Sequence, residues 1–385
     1  MRPVSATLKT YGPIEVWEWE KDGVRKLEFT GAGILEDYEA DQLAGCFIDE
    51  DHYGLIIQED CDIYRPSASD AISMFASEEC PEDRLLASFR KGVIPPDLCT
   101  EAARHLRDAA SRGDNRGLAS GKLDPENVRS TAKGKLVMLG GSGTRARYLL
   151  DDGTVSKVDI ANFSYSGIAG YFNAEERHPF CRQTGYTKAN PGRTEAATPY
   201  LEAINGCFRR QAPNHWQAQK DFVDENGIYS NGWTMGDTVF TTITVNRNWR
   251  TACHKDAGDF QQGFGNLTVI EGDPYIGGYT GFPKYRVAVD VRSGDFLAMD
   301  VHQWHCNTPL EAVGEDYERI SVVCYARIRM KNCRSKEIEK AKHAEWLKNF
   351  IPPKKKAALN LEKNLEVEAR KEAEVTYLKE LFGEE

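Results

Sequence analysis

Apolar residues in the middle of this chain fall in short runs or in alternation, the pattern of strands, whereas clear helical signals lie at the flanks and in one internal stretch. Residues 241–245 (Thr-Thr-Ile-Thr-Val), 287–291 (Val-Ala-Val-Asp-Val) and 296–301 (Phe-Leu-Ala-Met-Asp-Val) suit buried strands, the last two joined by the turn-like Arg292-Ser293-Gly294-Asp295. Residues 14–19 and 53–58 are further strand-like runs, set among acidic loops. Pro95-Pro96-Asp97 opens a helix over residues 98–112 with Asp97 as its cap, and a second helical stretch is predicted near 198–210. Gly140-Gly141-Ser142-Gly143-Thr144 lacks the Lys-Ser/Thr ending and the following helix of a phosphate loop, so it reads as a hairpin turn. From Ser335 the chain becomes a charged helix former over 336–350, broken by Pro352-Pro353 and resumed over 354–382 with a loose apolar stripe of Leu361, Leu365, Val375, Leu378 and Leu381. The prediction is an α+β chain with a mainly β core, a double-stranded β-helix of the jelly-roll, cupin-like kind with outer helices. Its parts are an acidic N-terminal extension packed on the core (1–95), the β-helix domain (96–332) and a charged helical tail (333–385).

Composition adds constraints. At 385 residues and 41% hydrophobic content the chain can bury a large core. The net charge of -10 argues against a nucleic-acid partner until its distribution is read: residues 1–100 hold 21 acidic and 9 basic side chains, leaving the remainder slightly basic. Between Arg177 and Lys220 stand seven basic residues against Glu195 and Glu202, a stretch that could track phosphates. Ten cysteines show no Cys-x-x-Cys pair, residues 1–21 carry no secretory signal, and no run is long enough to cross a membrane. Reduced thiols in a cytoplasmic, non-secreted protein are therefore expected. No oligomeric state is assigned.

The chemistry is concentrated in three places. His254-Lys255-Asp256 and the distant His305 supply two imidazoles and a carboxylate, the facial ligand set of non-haem Fe(II) oxygenases, which leaves metal positions open for co-substrate and O2. Alternation along an extended strand puts His254 and Asp256 on one face, from the end of the 241–245 run, and His305 on a second wall. His302, three residues before His305, faces the other way on extended chain, so His305 is chosen. Cys253 and Cys306 flank the ligands but face away by the same parity. Arg319, on the strand after the distal ligand, can fork onto the far carboxylate of 2-oxoglutarate; the bland reading pairs it with Glu315 or Glu318. A Gly-Gly turn at Gly277-Gly278, Phe282-Pro283 and Gly294-Asp295 lie in order between the ligands.

These segments resemble the TET/JBP dioxygenases, which oxidise the 5-methyl group of pyrimidine bases in nucleic acid. The resemblance is carried by residues 251–259 (Thr-Ala-Cys-His-Lys-Asp-Ala-Gly-Asp), 300–308 (Asp-Val-His-Gln-Trp-His-Cys-Asn-Thr) and 317–325 (Tyr-Glu-Arg-Ile-Ser-Val-Val-Cys-Tyr), with 180–187 as the entry to the same domain. It is nearest to compact phage or microbial members, since no Cys-rich region is present. The resemblance implies that His254, Asp256 and His305 bind Fe(II), and that Arg319 binds the co-substrate 2-oxoglutarate with Ser321 assisting. It also implies that O2 is the second co-substrate and that DNA containing 5-methylpyrimidines is the partner. Tyr325 then stacks on the target base and Arg327 bonds its edge; strand parity independently places Arg319, Ser321, Val323, Tyr325 and Arg327 on one face. Asp259 matches the position that reads the pyrimidine edge, and as an ionised acceptor it suits the exocyclic amine of cytosine. Many methylcytosine oxidisers carry His where this chain has Arg327.

The expected function is hydroxylation of 5-methylcytosine in DNA to 5-hydroxymethylcytosine, with possible further oxidation, on a flipped or single-stranded base. Thymine hydroxylation, a 2-oxoglutarate oxygenase of protein or small-molecule substrates, and a non-catalytic barrel for modified DNA stay open beside it.

Overall fold

The computed structural model describes residues 2–67, 81–114, 116–124 and 135–350. The proposed helix over 354–382 lies outside the described residues.

Alternation in sequence becomes two-sidedness in space. The strand Arg319–Tyr325 lies in the middle of a twelve-stranded, mostly antiparallel sheet, between Thr242–Arg247 and Gly265–Glu271. Ile320, Val322 and Cys324 turn to one face and share a buried cluster with Tyr200, Leu201, Ile204 and Phe208 of the helix Thr198–Gln211. Those helix residues recur at three- and four-residue spacing, one apolar stripe on an amphipathic helix. Each such side chain, once buried, contributes on the order of 1.5–3 kcal/mol, so the outer helices anchor the sheet firmly. On the opposite face Leu267, Val269, Leu297 and Met299 pack with Phe282, Val287 and Val289 of a four-stranded sheet ordered Cys306–Asn307, Thr280–Phe282, Val287–Val289, Leu55–Ile57. Two facing sheets with helices outside one of them are the layers of a double-stranded β-helix. Its open end, between strand 319–325 and the short strand 306–307, houses the site described below.

Residues 1–95 contribute to both sheets. Thr7–Tyr11, Ile14–Lys21, Val24–Phe29, Cys61–Tyr64 and Leu85–Arg90 extend the large sheet, and Leu55–Ile57 pairs in parallel with Val287–Val289 in the small one. By compactness, residues 1–174 and 181–335 form one unit, and residues 175–180 and 336–385 a second. In that second unit the helix Lys336–Asn349 stacks His343 on the Phe180 ring, with Trp346 beside it.

Several local expectations shift. The helix predicted over 98–112 runs Pro96–Leu106, with Asp97 inside its first turn rather than at the cap, and ends in a short 3-10 turn. The helical stretch near 198–210 is the third of four consecutive helices spanning residues 185–225, each of the last three opened by a proline that its first turn tolerates. Lys135–Met138 and Arg145–Leu149 pair around the Gly140–Thr144 turn as a hairpin. Cys181 and Cys333, read as free thiols, are joined in a disulfide.

Candidate active site

Strand Thr242–Arg247 ends before the first ligand residues. At Asn248 the backbone enters the left-handed region (φ +44°), where its side-chain oxygen accepts from the Arg319 backbone N–H at 2.7 Å. His254 and Asp256 therefore sit on the extended loop that follows, not on the strand end. Parity is replaced by pairing: His254 and His305 exchange two backbone hydrogen bonds of 3.0 Å, and the Asp256 N–H donates to the Val301 carbonyl. A cross-strand bridge thus sets the distance between the two imidazoles.

The ligand atoms of His254, Asp256 and His305 all lie within 4.8 Å of one another. Both Nε2 atoms face the carboxylate at 3.8 Å. Each Nδ1 is engaged with a main-chain carbonyl, His254 with Ala252 at 2.8 Å and His305 with Gln303 at 3.0 Å. A carbonyl can only accept, so Nδ1 carries the proton and Nε2 presents its lone pair inward, the tautomer a metal requires. Burial, reinforced by the neighbouring His305, lowers the His254 pKa to about 4, keeping the ring in its neutral, metal-binding form. His302 is turned away, its ring nitrogen 3.3 Å from the Phe260 carbonyl. Cys253 and Cys306 are buried; Cys253 stays out of the cavity lining, whereas Cys306, expected to face away, borders the cavity with its thiol 3.2 Å from the Tyr53 hydroxyl, and burial raises both thiol pKa values.

The N-terminal segment, where the sequence offered no chemistry, holds these loops in place. The Cys253 N–H donates to the Cys46 carbonyl, the Gly45 N–H to the Cys253 carbonyl, and the Trp304 indole to Asp41.

Beyond the triad runs a cavity of about 390 Å³ lined by Ser321, Val323, Tyr325 and Arg327 along one strand face, with Thr244 and Asn246 beside them on the paired strand and Thr280 and Asn307 from the smaller sheet. Arg319, next along that face, is 2% exposed, and its Nε and Nη2 have no partner among the described residues. Glu318, the alternative partner, is occupied by Arg107 and Arg247 at 2.6 and 2.7 Å. A buried guanidinium with idle donors costs free energy unless an anion meets it. The Gly-Gly turn makes room for it: both residues have positive φ, and a Cβ at Gly278 would stand 2.6 Å from Leu310 and 3.3 Å from Arg319 Nε. Ser321 lies in a relay, its hydroxyl accepting from Asn246, whose side-chain oxygen accepts from Ser166. The donor set therefore fits Fe(II), and the orphaned guanidinium fits a dicarboxylate.

At the other end Tyr325 is buried, its hydroxyl 3.3 Å from that of Thr244 and its pKa pushed up to about 12 by burial. Asp259 and Arg327 form an isolated β-bridge. Burial, then the nearby Asp256 charge, raises the Asp259 pKa well above its ordinary value against the opposing pull of Arg327, so the group expected to be ionised is pushed toward its neutral form. Arg327 Nε donates to Asn173, and its guanidinium lies over the Phe172 ring. Trp249, Asn246 and Arg116, which the sequence reading missed, also line the cavity. Asn246 was detectable as the third polar residue in the Thr242-x-Thr244-x-Asn246 alternation; Trp249 and Arg116 had no local signal. Five of the seven basic residues between 177 and 220 are engaged within the fold: Arg193 with Asp108, Lys220 with Asp224, Arg209 over Trp216, Arg182 on the Asn173 carbonyl and Arg210 on the Cys207 thiol.

Residues 167–328, spanning both ligand loops and the Arg319 strand, match the Tet_JBP family, described as the oxygenase domain of the 2OGFeDO superfamily. The chain carries a TET/JBP oxygenase domain. Fe(II), 2-oxoglutarate and O2 are the cofactor and co-substrates of that superfamily, so the TET/JBP domain is a dioxygenase domain. The bifunctional helicase and thymine dioxygenase JBP2 of Leishmania tarentolae is 30% identical over 278 residues, 71% of this chain and 21% of that one. Thymine dioxygenase JBP1 of Trypanosoma brucei brucei is 34% identical over 166 residues, 42% of this chain and 19% of that one. The chain thus spans about a fifth of the length of the curated relatives it matches. Among solved structures, NgTET1 in complex with 5mC DNA aligns with a TM-score of 0.41 at 11% identity, over 81% of this chain and all of that one. Among the described residues no helix is long and apolar enough to cross a membrane.

Proposed function

We propose that this TET/JBP domain hydroxylates the 5-methyl group of a pyrimidine base in DNA, with His254, Asp256 and His305 holding Fe(II) and Arg319 and Ser321 holding 2-oxoglutarate. The observation that carries the reading is what meets at one cavity: a metal-ready triad, Tyr325, Asp259 and Arg327 line it, and the unsatisfied guanidinium of Arg319 is buried next along the strand that carries Tyr325. When bound, the iron couples the oxidative decarboxylation of 2-oxoglutarate by O2 to replacement of a methyl C–H by C–OH. The chain itself binds, orients and excludes water. Arg319 forks onto the far carboxylate, which fixes the co-substrate's direction along the cavity. Tyr325 replaces the stacking that a base loses when it leaves the helix. Asp259 and Arg327 bond its edge, aiming the 5-methyl group at the metal.

5-Methylcytosine is the first reading, in which an acceptor oxygen of Asp259, present in either protonation state, takes the exocyclic amine. Thymine is the second reading. It is favoured by the burial of Asp259, which pushes its carboxyl toward the protonated form that can donate to a carbonyl at that place, and by relatives named thymine dioxygenases. Both are tested by incubating the anaerobically Fe(II)-loaded protein with 2-oxoglutarate, O2 and DNA with or without 5-methylcytosine, followed by nucleoside mass spectrometry. Hydroxymethylcytosine supports the first reading and hydroxymethyluracil the second. Succinate formation that DNA does not stimulate, with neither base product, refutes both.

A further inference from the structure

Arg116 precedes the matched family region and lies between the short strand Arg112–Gly113 and the turn Gly117–Ser120. Its side chain lines the cavity together with Asp256, Tyr325 and Arg327. One guanidinium nitrogen, Nη2, donates to the Gly167 carbonyl at 3.2 Å. The anchor is rigid, because the strand Ser164–Phe172 passes so close to the Ala109 backbone that a Cβ at Gly167 would stand 1.6 Å from the Ala109 carbonyl oxygen. No carboxylate among the described residues lies within ion-pair distance of Arg116. Burial pushes its pKa down, the mark of a cation short of compensation.

In the loaded site a divalent metal and Arg319 are neutralised by Asp256 and a dianionic 2-oxoglutarate. Arg327 is held by the Asn173 side-chain oxygen and the Phe172 ring, and its place at the base edge is already assigned. Arg116 is left over, at the Tyr325 end of the cavity, after both carboxylates of the co-substrate have been placed at the metal and at Arg319. A partly buried, uncompensated guanidinium is costly until an anion arrives, and its fork matches phosphate oxygens. A nucleotide turned out of its strand carries its phosphodiester with it.

We infer that Arg116 grips a backbone phosphate of the target nucleotide and so fixes the depth to which the base enters the cavity. This rests on the proposed base-oxidising function and adds a binding contact to it. The test measures anaerobic binding of a fluorescent single-stranded oligonucleotide with a central 5-methylcytosine to the full chain loaded with Fe(II) and 2-oxoglutarate. Neutral methylphosphonates replace the phosphates on either side of the target, one at a time. Wild-type affinity is expected to fall roughly tenfold at one of the two positions, the scale of one charge-assisted contact. Arg116→Ala should lose about the same factor on the native oligonucleotide and nothing further at that position, whereas Arg116→Lys should recover most of the affinity. Equal methylphosphonate penalties in wild type and Arg116→Ala overturn the inference, as does a variant whose only defect is a raised 2-oxoglutarate requirement. In either case, hydroxymethyl product from the wild type leaves the proposed function standing. A wild type that neither binds nor oxidises the oligonucleotide overturns both.

Discussion

The two ends of the cavity are built in different ways. At the triad end, backbone geometry does the positioning: paired main-chain hydrogen bonds join His254 to His305, carbonyls set both imidazole tautomers, and the left-handed Gly278 clears space beside Arg319. At the base end, side chains hold one another: Arg327 leans on Asn173 and Phe172, Tyr325 on Thr244, and Arg116 on one carbonyl. Main-chain scaffolding resists substitution everywhere except at the ligands themselves. A side-chain network can be retuned one residue at a time, so under the proposed function the triad end is suited to keeping a reaction and the Tyr325 end to choosing a substrate.

That contrast can be broken by experiment. The largest effect is expected from His254→Ala or Asp256→Ala, which should abolish stoichiometric iron binding and cut turnover by roughly a thousandfold or more, the scale on which groups acting as one catalytic unit fail together; metal analysis with succinate assay reads both. Retained iron with full turnover would remove the triad from the mechanism. Next, Arg319→Ala should raise the half-saturating 2-oxoglutarate concentration on the order of a hundredfold while iron stays bound, because two charge-assisted hydrogen bonds are lost. An unchanged requirement would place the far carboxylate elsewhere. Tyr325→Ala should weaken DNA oxidation by roughly tenfold or more, from about 1–3 kcal/mol of lost stacking, with Tyr325→Phe close to wild type. If Phe fails as badly as Ala, the hydroxyl rather than the ring carries the role. The smallest change expected is in Gly278→Ala. The left-handed backbone costs about 1–2 kcal/mol with a side chain, so thermal stability should drop by a few degrees and 2-oxoglutarate affinity should fall modestly through crowding of Arg319.

The comparison also explains what could be read from the linear chain. Arg319, Ser321, Val323, Tyr325 and Arg327 were predicted to share a face because strand period is two, and the last four line the cavity while Arg319 is buried with idle nitrogens. His254 and Asp256 were predicted from the same parity, yet they reach one another from a loop, through pairing with a partner about fifty residues away. Glu318 was a plausible partner for Arg319 by proximity in sequence, but adjacent strand residues face opposite ways and Glu318 meets Arg107 and Arg247 outside. The basic stretch from 177 to 220 looked like a phosphate track because charge was counted without partners, most of which lie on neighbouring helix turns or other segments.

The sequence by itself determined the donor types, their order and the alternation that turns one strand face inward, since those follow from side-chain chemistry and local backbone period. Only the tertiary structure decided that residues 1–95 extend both sheets and buttress the ligand loops. It likewise decided that Asp259 is buried, which pushes its pKa up, that Cys181 meets Cys333, and that Arg116 enters the cavity. Each of these depends on which distant segments come together and on how much water they exclude, quantities that no local pattern encodes.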